Sequence, residues 1–198
     1  MVYAVLFQLG NAVQNGGKKM KDLSRQVRRA LSFILLIAVC LPAGTGCNGA
    51  GARKERIERD RIAVEHTVLR YTQRLAEGYA KMNMTNLQEV ATLEQAKKVY
   101  KHMSALGDAK IRMESELVDI EFLDIQVVEP GSAEVKTREK WNYTQVNTDT
   151  KMPSQPPVTG LIYTLSYEIV RQDDRWLVSS VSTVEERDAS SRSTSEKH

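Results

Sequence analysis

From position 64 to position 82, apolar residues recur every three or four places: Val64, Val68, Tyr71, Leu75, Tyr79 and Met82. That spacing keeps them on one side of a 3.6-residue repeat and predicts one long amphipathic helix ending near Met84. Upstream, residues 53–61 alternate in charge, with Glu55 and Arg59 one turn apart, as in a solvated helix start. Residues 48–52 are small and glycine-rich and read as a flexible tether. Thr85-x-x-Gln88 and Thr92-x-x-Gln95 both match the capping-box pattern. They predict a short helix over 86–91 and a longer one over 93–106. The longer one carries Ala96, Val99, Tyr100, Met103 and Leu106 on one face, and Gly107-Asp108 ends it.

Beyond position 110 the period changes to two. Residues 111–128 alternate, but the phase slips at Phe122-Leu123, which predicts a bulge or bend inside a long strand. The sequence Glu129-Pro-Gly-Ser132 is a turn. Residues 133–146 alternate cleanly, with Ala133, Val135, Thr137, Glu139, Trp141 and Tyr143 in phase. A Pro-rich polar loop over 148–159 leads to a strand over 160–171 with Leu161, Tyr163, Leu165, Tyr167 and Ile169 on one side. Asp173-Asp174 turns the chain into a last strand, 175–184, with Trp176 and Val178 in phase. The expected class is α+β, with N-terminal helices packed on a curved antiparallel sheet of about four strands. The expected domain is 61–186, after a lead-in over 47–60. The Ser-, Arg- and Glu-rich tail over 187–198 reads as disordered.

The segment before the domain has a different character. A basic cluster (Lys21, Arg25, Arg28, Arg29) precedes an apolar run over 30–43, and Pro42-Ala-Gly-Thr-Gly-Cys47 closes it. The run is 14 residues long, and a spanning helix needs about 20, so an export signal over 20–46 is the better reading. Cys47 resembles the lipobox cysteine of bacterial lipoproteins, although Gly44 stands where that family usually has Leu, Val or Ile. The resemblance implies cleavage before Cys47, acylation of its thiol and a membrane anchor. It implies a place in the bacterial cell envelope, on the periplasmic side of the inner or outer membrane. Asn48 after the cysteine would favour the outer membrane in lipoproteins of the enteric type. Residues 1–19 fit poorly: Val2 and its neighbours form a second apolar stretch with no basic residue ahead of it. They read as lying upstream of a true start at Met20.

Charge takes its meaning from this division. The whole chain is +3, but residues 1–47 hold six of the 28 bases and one of the 25 acids, which leaves the remainder at −2. The basic balance belongs to the leader and gives no support to nucleic-acid binding. The two cysteines are Cys40 and Cys47, so the domain itself carries neither a disulfide nor a cysteine metal site. No His-x-x-x-His, phosphate-binding glycine loop or Gly-x-Ser-x-Gly occurs, and neither a metal nor a cofactor is expected.

Four stretches carry a wider likeness: Ala133-Glu-Val135, Glu139-Lys-Trp141, Tyr163-Thr-Leu-Ser-Tyr167-Glu-Ile-Val-Arg171 and Arg175-Trp-Leu-Val178. With the helix order before them, they resemble the nuclear transport factor 2-like, cystatin-like cone superfamily over roughly 64–184. The pattern is nearest to the domain type found in the intermembrane-space part of chloroplast and cyanobacterial division proteins. The superfamily holds isomerases, dehydratases and partner-binding domains, so the resemblance implies a fold and leaves the activity open.

Glu139 is the candidate for chemistry. In phase with Val135 and Trp141, it should point toward the helices, where burial would raise its pKa and suit a general base. The alternative is a satisfied carboxylate bonded to Tyr163, Tyr167 or a nearby cation. Trp141, Tyr143, Tyr163 and Tyr167 could line a ligand pocket or simply fill the core. His66 and His102 fall on helices beside polar positions and read as surface residues. No histidine lies in the strands, so an acid–histidine dyad like that of the superfamily's dehydratases is not evident. The leading reading is a non-enzymatic, lipid-anchored envelope protein whose cone binds a protein partner or an apolar small molecule, using the open sheet face and the 148–159 loop. The alternatives are a cone-fold isomerase or dehydratase with Glu139 as base and Tyr163 or Tyr167 as proton donor, and a structural protein that pairs with a second copy.

Overall fold

A computed structural model describes residues 49–128 and 131–187. Cys47, the expected export signal, the first 19 residues and the tail beyond Arg187 lie outside the described residues. The elements run α1 (Gly49–Lys81), a 3₁₀ helix (Thr85–Glu89), α2 (Leu93–Asp108), then β1 (Ile111–Val128), β2 (Ser132–Asn147), β3 (Val158–Gln172) and β4 (Arg175–Arg187). The strands form one antiparallel sheet in the order β1-β2-β3-β4, and the helices cover one of its faces. This is the α+β architecture expected from the change of period. Among the described residues, no helix is long and apolar enough to cross a membrane.

Helix α1 buries the predicted stripe: Val64, Val68, Tyr71, Leu75 and Tyr79 are all within the core. Its start differs from expectation. Gly49 to Ala52 are helical rather than a tether, because Ala and the alternating charges that follow favour the helix enough to carry two glycines along. Its end comes at Lys81, short of Met84, where Met82 takes a left-handed conformation (φ 52°) and the amide of Asn83 bonds the Gly78 carbonyl. The expected helix over 86–91 is the 3₁₀ turn, whose first cap is Met84 with no side-chain bond. The first capping box is therefore not used. The second is half used: Thr92 Oγ1 accepts from the Gln95 amide, but the Gln95 side chain turns inward instead of back to the cap. Tyr100, expected on the buried face of α2, is 59% exposed, and His102, expected at the surface, is buried. His66 is exposed.

The sheet bends where its register slips. β1 shifts against β2 at Phe122/Asp124, the predicted position, and again at Leu117/Asp119. Each slip adds a residue to β1 and increases local twist. Strand β2 buries Ala133, Val135, Thr137, Glu139 and Trp141 in strict alternation. Its other face carries Lys136, Arg138 and Lys140, which stand opposite Asp124, Glu121 and Asp119. The β3–β4 turn has Asp173 and Asp174 both at positive φ, the geometry of a two-residue hairpin whose twist matches its strands. The 148–157 loop is pinned by Asn147, whose Oδ1 accepts from the amides of Asp149 and Thr150. Strand β4 is tied to the helical side through Val178, which exchanges backbone bonds with Val90 and Thr92.

Candidate functional site

Strand alternation alone aims Glu139 into the space between sheet and helices, and it is fully buried there. Three neutral donors converge on its carboxylate. Thr137 Oγ1 and Tyr167 Oη donate to Oε1 at 2.8 Å and 2.6 Å, and Trp141 Nε1 donates to Oε2 at 2.8 Å. Two of the donors come from the same face of β2, two residues before and after Glu139. The third comes from β3, two inward positions along from Tyr163, the direct cross-strand neighbour of Glu139. Burial pushes the carboxyl above its ordinary value of 4.5, and the three hydrogen bonds only partly offset this.

Further polar groups continue the seam under the helices. Tyr71 meets Tyr167 edge-to-face at 6.2 Å between ring centres, and Tyr71 Oη accepts from Gln95 Nε2 at 2.8 Å. Burial, and then the nearby Glu139 charge, hold the Tyr71 hydroxyl well above the usual phenol range, although the Gln95 bond opposes this. Tyr79 Oη and His102 Nδ1 share a 2.6 Å hydrogen bond. Burial raises the Tyr79 hydroxyl and lowers the His102 imidazole, so the phenol keeps its proton and donates to a neutral ring. Sequence reasoning missed His102 and Gln95. The signal that could have found them is positional: Gln95 lies four residues before Val99 and His102 three after it, helical spacings that keep both on the face that α2 buries.

Among the described residues, little room is left beside Glu139. The cleft beside Glu139 is lined by Leu75, Ala76, Tyr79, Trp141, Tyr143 and Tyr163, and has a cavity volume of only about 20 Å³, room for roughly one water. Trp141, Tyr143 and Tyr163 therefore stand where a pocket lining was expected. Tyr167 does not line the cleft; it is fully buried and bonded to Glu139. Glu139 is not part of the lining; it is fully buried and bonded to Trp141, which is. Among the described residues, no group of three His, Cys, Asp or Glu side chains is placed to hold a metal ion.

No family model matches the chain, and no curated protein matches its sequence. Among solved structures, the intermembrane space region of the chloroplast protein ARC6 aligns with a TM-score of 0.53 at 12% identity, covering 62% of this chain and 95% of that one. The domain shares the fold of that region: helices on one face of a four-stranded antiparallel sheet. Two looser likenesses fall below a TM-score of 0.5. A ketosteroid isomerase-like protein from Erwinia carotovora atroseptica scores 0.43 at 9% identity, over 64% of this chain and 97% of its own. A periplasmic fragment of TraM scores 0.44 at 12% identity, over 63% and 98%. At these identities the shared property is the fold, and the cone of this chain must be read from its own side chains.

Proposed function

We propose that this chain is a lipid-anchored cell-envelope protein, acylated on Cys47 and held on the periplasmic side of a bacterial membrane, whose cone is a non-enzymatic module that binds a protein partner. The leader with its terminal cysteine supports the anchor. The little room beside Glu139 supports the binding mode. Small-molecule sites have cavities of about 300–1,000 Å³, and the cleft beside Glu139 offers about 20 Å³. A general base must reach the proton it removes. Glu139 is instead fully buried, with three donors already on its two oxygens. Its role on this reading is to satisfy the polar groups of the cone and fix their positions.

Two measurements test the proposal. Mass spectrometry of protein purified from host membranes should find a diacylglyceryl group on an N-terminal Cys47. An unmodified terminus would remove the anchor. Cross-linking on intact membranes should yield a protein adduct, whereas a small molecule co-purifying with the cone would favour the isomerase-like reading. Self-association is favoured by a separate observation: β1 is an edge strand that exposes Val118, Leu123 and Val128, and sedimentation of the detergent-solubilised protein decides it.

A further inference from the structure

At one end of the cone, α1 and the β3–β4 turn enclose a groove with a cavity volume of about 410 Å³, whose lining does not include Glu139. One wall is a stripe of α1 carrying Arg59, Ile62, His66 and Arg70; the other carries Arg175 beside Trp176. The acids around the groove already have partners. Glu89 is held by Arg70 at 3.6 Å and Arg74 at 3.3 Å, and Asp60 and Asp174 are both held by Arg171, at 3.4 Å and 3.2 Å. Arg59, Arg175 and His66 have no side-chain partner among the described residues. Ile62 lies between the cations and is 48% exposed.

We propose that this groove binds an acidic, apolar-containing peptide segment of the partner protein, with carboxylates on Arg59 and Arg175 and an apolar side chain on Ile62 and the edge of Trp176. The proposal rests on the partner-binding reading above and specifies the partner's chemistry. Charge complementarity selects the sign: guanidiniums without a partner that line one groove favour carboxylates and bond them in a planar fork. The exposed Ile62 side chain between the cations selects a peptide over a bare anion, because a phosphate would leave it uncovered. Length agrees as well. Arg59 and Arg70 lie eleven residues apart on α1, about 16 Å of helix, which is the span of about five extended residues. Alternate side chains of such a strand point the same way, so a segment alternating acidic and apolar residues fits both walls.

The test is selection of a displayed random-peptide library on the full-length protein, followed by fluorescence anisotropy of the recovered peptides. The expected peptides are rich in Asp and Glu around a large apolar residue, and their binding weakens with added salt. Arg59→Glu and Arg175→Glu should each weaken binding by about ten-fold, while Arg138→Glu on the opposite sheet face leaves it unchanged. Both groove arginines are exposed, so an unchanged melting temperature shows that the variants fold; Arg59→Gln and Arg175→Gln, which lose the charge without reversing it, should give smaller losses in the same order. Peptides with no acidic bias, or binding indifferent to both arginines, would overturn the groove while leaving partner binding in place. Failure to recover any peptide, together with a small molecule bound in the cone, would overturn both readings.

Discussion

Replacing Glu139 by Ala or by Gln separates a structural carboxylate from a catalytic one. In Glu139→Ala, Trp141 Nε1–H, fixed in the plane of its ring, loses its acceptor; the hydroxyls of Thr137 and Tyr167 lose theirs but can rotate. A buried donor left unsatisfied costs about 1–3 kcal/mol, and the missing side chain leaves a small void. The expected loss is about 3–5 kcal/mol, a large share of the stability of a domain this size. Glu139→Gln keeps the shape. Its Oε1 can accept from Trp141 while its NH₂ donates to the two hydroxyls, which are able to accept, so the change should stay within about 1 kcal/mol. The pH dependence gives a second check. The folded carboxyl binds its proton more tightly than the unfolded one. Its stabilisation is therefore full below the ordinary value of 4.5 and is lost as pH rises through the folded value. Other groups cancel in the difference between wild type and Glu139→Gln, so the Gln variant should gain relative stability as pH rises. Urea unfolding read by Trp fluorescence measures both effects. A Gln variant as damaged as the Ala variant, or two stability curves that stay parallel with pH, would refute the assignment.

Four further outcomes follow from the packing. Burial holds His102 below its ordinary 6.5, so its contribution is full above that pH and is lost as pH falls through the folded value; His102→Phe should remove this slope and cost about 1–3 kcal/mol through the stranded Tyr79 hydroxyl, measured by urea titration at several pH values. Thr92→Ala removes the α2 cap and should cost about 1 kcal/mol in the same assay. Leu165→Ala, at a fully buried position, should cost about 2–5 kcal/mol. Tyr100→Ser should stay within about 0.5 kcal/mol, since the ring lies in solvent; a core-sized loss would restore it to the buried face.

The strands were legible because a period of two is strict. One misplaced residue moves every side chain to the other face, so Ala133, Val135, Thr137, Glu139 and Trp141 could be assigned inward together. The slip at Phe122-Leu123 was visible because apolar residues change phase there. The slip at Leu117/Asp119 was not, because Val118, the extra residue, is itself apolar and hides the change of phase. The helices were less legible at their faces. A tyrosine fits either side of a helix, and Tyr100 lies at the margin of the α2 stripe where a small rotation decides burial. His102 reads as a surface residue and Gln95 as a capping-box partner, yet each has a tyrosine hydroxyl from α1 within bonding distance. Such a partner comes from another helix and leaves no periodic trace. The three donors around Glu139 were half legible: Thr137 and Trp141 share its strand phase, while Tyr167 reaches it diagonally across the sheet.

A filled cone that works through its surface is tested most directly by native mass spectrometry of the protein extracted from its own membranes. The account predicts the mass of the polypeptide from Cys47 onward plus its acyl chains, with no small-molecule adduct, and a protein adduct after brief cross-linking. A stoichiometric small molecule that is lost when Trp141 or Tyr163 is replaced would contradict it, because the cone would then be a pocket.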